Sequence, residues 1–170
     1  MALRRSILHP LRRFAQVSLR QRALVIEAVI CLAAARLGLV VLPFPRLARH
    51  LGAAVAPQQI LAPQRTLAPQ EAMERAASID ASPRDARLAG EVGWAVTRAA
   101  RYLPFRAVCL PQAMAARTML ARRGVASMLH FGAATNGDGK VTAHAWLDAA
   151  GAEVTGYPVP PAFAEVACFV

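Results

Sequence analysis

Apolar positions in this chain recur at two different spacings, and the change from one to the other comes after Gly124. In Ser82-Pro83-Arg84-Asp85 a cap residue precedes a proline suited to the first helical position. Beyond it Leu88, Val92, Ala95, Val96 and Ala99 recur at helical spacing and mark one core face. This predicts a helix from Pro83 to about Tyr102, with Trp94 off its apolar stripe. Leu110 to Arg123 is rich in Ala, Met, Leu and Arg, which predicts a second helix, and Gly124 suits its C-cap. The remainder predicts strands. Val125–Gly132 is followed by the hairpin turn Asn136-Gly137-Asp138-Gly139, then by Val141–Leu147, a turn at Gly151, and Ala152–Thr155. Pro158, Pro160 and Pro161 are expected to end regular structure. A helix followed by an antiparallel meander is an α+β pattern.

The N-terminal part lacks such regular alternation. Leu24 to Pro43 is the most apolar stretch and is about long enough to span a bilayer. Glu27 and Arg36 interrupt it, each costing about 2.5–3.5 kcal/mol at the centre of a membrane helix. Gly38 weakens it as one helix. Two helices are therefore expected, one capped by Ser18 and one from about Leu37 or Phe44, with Pro43 restricting the residue before it. Leu24 to Leu32 leaves almost no polar face, so it is buried or pressed against a partner or a membrane. Cys31 reads as a core residue there. From Ala53 to Gln70, Pro57, Pro63, Pro69 and four Gln residues read as an extended linker, and Glu71–Ala77 as a short helix. The expected divisions are a helical segment over 1–52, a linker over 53–70 and a core domain over 71–170.

Charge sharpens this picture. The formal net charge is +10. The first third carries nine Arg residues against a single acid, Glu27. That end suits an anionic membrane surface, an acidic peptide, or plain solvation. Nucleic acid is not expected, because aromatics are few, are not interleaved with the arginines, and no helix-turn-helix, zinc-finger or RNA-binding signature occurs. Cys31, Cys109 and Cys168 form an odd, widely spaced set. This argues against a disulfide framework and for a reducing compartment. No Cys-x-x-Cys or paired-His motif predicts a metal, and no cofactor is expected. No secretory signal is read, so the expected location is cytoplasmic, with peripheral membrane contact through the N-terminal helices left open.

The chemistry concentrates at Cys109 and His144. Cys109 precedes the Leu110–Arg123 helix, whose unpaired N–H groups favour a thiolate and can bind an oxyanion. His144 falls on a strand after the hairpin, in Ala143-His144-Ala145-Trp146-Leu147. A thiol with a histidine base is the pair that acyl transfer needs. A tight turn at Ala149–Gly151 sets Thr155 or Gly156 opposite His144, so the imidazole is oriented by Thr155 or by a backbone carbonyl. Asp148 lies four residues along the same strand, about 13 Å from His144 by strand rise. Gln112 in the first turn and Trp146 beside His144 are candidate cleft-lining residues, each with a plainer role as a solvated or core residue.

Ala143-His144-Ala145-Trp146-Leu147-Asp148 followed by Gly151 resembles the histidine motif of transglutaminase-like peptidases. Cys109-Leu110-Pro111-Gln112-Ala113, through Arg122-Arg123-Gly124, resembles the cysteine motif of the lasso peptide B-protein leader peptidases. Leu19–Leu24, Glu27-Ala28, Ala35-Arg36-Leu37, Leu42-Pro43-Phe44 and Arg46-Leu47-Ala48 are similar to that family's opening helices. The resemblance covers nearly the whole chain except the Pro/Gln linker and the last few residues. It implies a transglutaminase-like, papain-like core with the Cys helix packed on the sheet. It implies removal of the leader from a ribosomally made precursor peptide, before an ATP-dependent lasso cyclase closes the ring. It also implies a small separate leader-recognition protein as partner. The family pattern expects an Asp after the His, and no carboxylate stands at the matching place. A Cys–His dyad is therefore expected. Other readings are a transglutaminase or N-acyltransferase using the same dyad, a binding module docking through its N-terminal helices, and a single membrane span.

Overall fold

The computed structural model of the chain describes residues 18–43, 46, 54–55, 82–135 and 137–169. The short helix expected at Glu71–Ala77 and most of the expected linker lie outside the described residues.

The first helix, α1, runs over Leu19–Val41. Ser18 and Gln21 close a capping box at its start: the Ser18 side chain accepts from the Gln21 amide, and Gln21 Oε1 accepts from the Ser18 amide. The helix continues through Gly38, which corrects the expected start of a second helix at Leu37; the alternative start at Phe44 lies outside the described residues, apart from Arg46, which is helical. A glycine costs a helix interior about 1 kcal/mol, and packing along the preceding turns outweighs that. What stops α1 is Pro43, since Leu42 before it is extended. Leu24, Val25, Ala28, Cys31 and Leu32 bury one face in the same hydrophobic cluster as the later helices and the sheet. Glu27, the lone acid, turns inward to Arg123 at 2.6 Å and Arg122 at 3.5 Å. The hydrogen bond from Arg123 holds its carboxyl below the usual carboxylate range, against the opposing effect of burial.

Helix α2, Pro83–Ala100, begins as its sequence predicts, with the Ser82 hydroxyl accepting from the Asp85 amide at 3.1 Å. Helix α3 spans Cys109–Ala121. Four strands follow: β2 at Met128–Thr135, β3 at Val141–Ala149, β4 at Ala152–Thr155 and β5 at Ala164–Phe169. The two-residue strand β1, Ala54–Val55, falls in the stretch read as linker and pairs with β5. All pairings are antiparallel, in the order β1-β5-β2-β3-β4.

Strand β5 is the departure from the expected meander. Regular structure resumes after Pro161, and the chain returns from β4 across the sheet to lie beside β2. Three hairpin-linked strands with a fourth returning beside the first make a Greek key. The connection over Gly156–Phe163 is the part that later positions His144.

Alternation along β3 separates two environments. Ala145, Leu147 and Ala149 join Leu129, Val154, Phe169 and the helices in the core. His144, Trp146 and Asp148 take the other face, beneath the returning connection. The free edge at β4 is blunted by α2: a Cβ on Gly93 would collide with the Val154 carbonyl oxygen, so the helix backbone itself lies on that strand. The fold is thus α+β, helices on one face of an antiparallel sheet.

Candidate active site

Cys109 is the first residue of α3, and Val108 before it offers no side-chain cap. The first helical hydrogen bond runs from the Gln112 amide to the Val108 carbonyl at 3.3 Å. Pro111 has no N–H. The amides of Cys109 and Leu110 therefore stand ahead of the helical ladder, at the positive end of the helix dipole. The thiol is half-buried, and the Cys109 side chain packs against the core. Gln112 turns back on the chain: its Nε2 donates to the Ala107 carbonyl at 2.6 Å. That bond fastens the segment leading to Cys109.

His144 is half-buried on β3, with Trp146 at 6.0 Å between ring centroids and Phe163 at 5.4 Å. Its Nε2 donates to the Gly156 carbonyl at 2.6 Å. A carbonyl can only accept, so Nε2 carries the proton, and Nδ1 of the neutral ring holds the lone pair. Among the described residues Nδ1 has no hydrogen-bond partner, and no hydrogen bond joins His144 to Cys109.

Thr155 does not bond to His144. It is 3% exposed, and its Oγ1 has no hydrogen-bond partner among the described residues. Register explains the difference. Asp148 pairs with Glu153 and, past a one-residue bulge, Leu147 pairs with Thr155, so Thr155 lies opposite a core-face residue three positions from His144. The carbonyl of Gly156 then reaches the imidazole. Gly156 has φ 86°, and a Cβ there would press on the Ala145 carbonyl and on Trp146. Gly156→Ala is therefore expected to move the carbonyl away from Nε2. A misplacement of about 1 Å can cost about a hundredfold in rate. The readout is turnover together with the His144 tautomer by NMR, and an unchanged tautomer would contradict the assignment.

A second histidine, which the sequence reading did not single out, lies behind this one. His130 on β2 pairs across the hairpin with Trp146, and the two rings stack at 5.4 Å and 4°. Its Nδ1 meets Glu165 Oε1 at 2.9 Å, and its Nε2 lies 3.2 Å from Asp148 Oδ2, an ion-pair contact rather than an aligned hydrogen bond. Asp148 also accepts a very short hydrogen bond from the Tyr157 hydroxyl. Asp148 thus serves His130 and Tyr157, not His144. Burial alone would lower the His130 pKa, but Asp148, Cys168 and Glu165 outweigh it and push it up to about 11. Burial, then the Asp148 carboxylate, raises the Tyr157 hydroxyl above its ordinary value. Ligand atoms of His130, Glu165 and Cys168 lie within 4.8 Å of one another, close enough to hold a metal ion. Both ring nitrogens of His130 face carboxylates, at 2.9 and 3.2 Å, which is the arrangement of a buried ion pair. Trp146, 6% exposed, spans the two histidines with its ring edge 2.7 Å from where a Gly132 Cβ would stand. It is a packing residue that connects the ion pair to His144.

Trp94, off the α2 stripe, lines a cleft of about 340 Å³ with Arg98, Arg101, Tyr102 and Glu153. The Arg98 guanidinium sits 5.6 Å above the Trp94 ring.

Comparison with curated proteins and with solved structures gives no significant match. The model of the Transglutaminase-like superfamily matches residues 38–168, which takes in α2, α3, the sheet, Cys109 and His144. That superfamily includes cysteine peptidases and acyltransferases, and cysteine-based catalysis is its general chemistry. A thiol at a helix start, a histidine on the sheet and a match over most of the chain agree: the chain belongs to the transglutaminase-like superfamily.

Proposed function

We propose that this chain is a cysteine peptidase that removes the leader from a ribosomally made lasso precursor peptide. The observation that carries the catalytic half of this reading is the hydrogen bond from His144 Nε2 to the Gly156 carbonyl. It supplies what a triad carboxylate normally supplies: a fixed ring orientation and a tautomer with its lone pair on Nδ1. The substrate half rests on the motifs around Cys109 and His144, on the opening-helix pattern, and on the superfamily.

In this mechanism Nδ1 takes the proton of Cys109 Sγ, and the thiolate attacks the scissile carbonyl carbon. The oxyanion accepts from the Cys109 and Leu110 amides. The tetrahedral intermediate collapses with cleavage of the C–N bond, and the proton on Nδ1 passes to the leaving amine. A water then gives its proton to Nδ1 and its oxygen to the thioester carbon. The leader leaves as a carboxylic acid and the thiol is restored. Catalytic hydrogen bonds that are open in a free enzyme commonly close only around substrate. Gln112 acts as a positioning residue through Ala107. A separate leader-recognition protein presents the precursor, and an ATP-dependent cyclase receives the freed core amine. The compartment is the cytoplasm, in keeping with three free thiols.

The test is mass spectrometry of a precursor peptide incubated with the full chain and the recognition protein. Two fragments whose masses sum to the precursor plus one water support the peptidase. A product joined to an added amine assigns an acyltransferase, which the same thiol and histidine serve equally well. An intact precursor, with the thiol inert toward other acyl donors, removes both.

A further inference from the structure

Helix α1 is apolar on two opposite faces. One face packs into the core, where Ala28 and Leu32 are fully buried. The opposite face carries Leu19, Ile26, Ile30, Leu37, Val40 and Val41, each between 55% and 81% exposed. Spacings of four, seven and eleven from Ile26 to Ile30, Ala33 and Leu37 put these residues on one stripe. At 1.5 Å per residue the stripe is about 30 Å long. A continuous exposed aliphatic stripe of this kind marks an interaction site.

We propose that this stripe lies in the surface of an anionic lipid bilayer, with the helix parallel to the membrane plane. Charge selects the occupant. Residues 1–70 hold ten arginines and one carboxylate, and that carboxylate, Glu27, is turned inward to Arg122 and Arg123. Juxtaposed Arg and aliphatic side chains are the signature of interfacial helices, and each basic residue near an anionic surface adds about 1 kcal/mol. The stripe contains no Tyr, Trp or Met, the side chains that protein–protein hot spots favour. A transmembrane course is the wrong geometry despite a mean hydropathy of 2.3 and 23 residues. To cross the bilayer, α1 would have to leave the core and break Glu27–Arg123 and Arg20–Glu91.

Flotation of the full chain with phosphatidylcholine vesicles, with and without phosphatidylglycerol, tests this. The wild-type chain is expected to float with the anionic vesicles and to be released by high salt or a carbonate wash. Ile30→Gln/Leu37→Gln/Val41→Gln changes only exposed positions. It is expected to lower partitioning at least about tenfold with an unaltered melting temperature. Four results would overturn the proposal: no flotation of wild type, equal flotation of the variant, carbonate-resistant insertion, or a stripe covered by a protein partner while vesicles stay unbound. The peptidase reading stands or falls separately, because turnover of soluble precursor does not require the stripe.

Discussion

Cys109→Ala is expected to abolish precursor cleavage, and His144→Ala to lower it by about 10³- to 10⁴-fold. General-base assistance alone accounts for about 10²- to 10⁴-fold, and a nucleophile–base pair fails as a unit. The double variant should therefore be no slower than Cys109→Ala, whereas independent contributions would multiply. Alkylation provides a readout that needs no substrate. In wild type, iodoacetamide should modify Cys109 faster near neutral pH than in His144→Ala, and the pH profiles of the two proteins should differ. Helix α3 contributes its dipole in both proteins, so the difference isolates the imidazole. Identical profiles would remove His144 as base. The thiol would then depend on the helix start alone, with the histidine serving as packing between Trp146 and Phe163.

His130→Ala is expected to destabilise the fold by about 3–5 kcal/mol, the usual cost of removing one partner from a buried ionic cluster. The reason is what remains: Asp148 and Glu165 approach the same ring, and without it two buried carboxylates face each other. Removing one of those charges as well, in His130→Ala/Asp148→Asn, should recover part of the loss. The pH dependence has a definite sign. The His130 pKa rises from 6.5 unfolded to about 11 folded, held by Asp148 on β3 and by Glu165 and Cys168 on β5. Its stabilisation is complete below pH 6.5 and declines as pH climbs toward 11. Chemical denaturation between pH 6 and 10 should show wild type losing stability faster than His130→Gln. Parallel slopes would mean that the ring is neutral in the fold.

Cys109, His144 and His130 were unequally legible. Cys109 and His144 announce themselves by local pattern: Pro two residues after a Cys at a helix start, and an alternating strand directly after a hairpin turn. Counting the β2–β3 register outward from Asn136–Gly139 puts His130 opposite Ala145, one residue from its observed partner Trp146, because Thr135 pairs with Val141. Glu165, Cys168, Tyr157 and Phe163 could not be found that way. Glu165 and Cys168 reach the site through β5, whose pairing with β2 is non-local and is hidden behind Pro158, Pro160 and Pro161, and Tyr157 and Phe163 reach it through the connection between β4 and β5. Prolines end a strand, but they do not prevent the next one. Thr155 was missed for a local reason. The turn pair Ala149–Ala152 already sets Tyr157 rather than Thr155 opposite His144, the β4 bulge adds one residue of offset, and the Gly156 carbonyl takes the orienting role. On α1, propensity at Gly38 predicted a break, while core contacts along the helix kept it continuous. The apolar character of that helix was plain in sequence. That only one of its faces is buried needed the neighbouring helices.

The Greek-key return has a consequence for how this protein is made. β5 is the last of the described strands to leave the ribosome, yet it sits between β1 and β2. Until Phe169 has emerged, β2 shows an unpaired backbone edge, His130 lacks one of its two carboxylates, and Phe163 is not in place beside His144. α2, α3 and the β2–β3–β4 hairpins can form from nearby residues, but closing the sheet requires contacts of long sequence separation, which form slowly. A ribosome stalled a few residues short would therefore release a chain with every candidate catalytic residue synthesised and an open edge ready to pair with another chain.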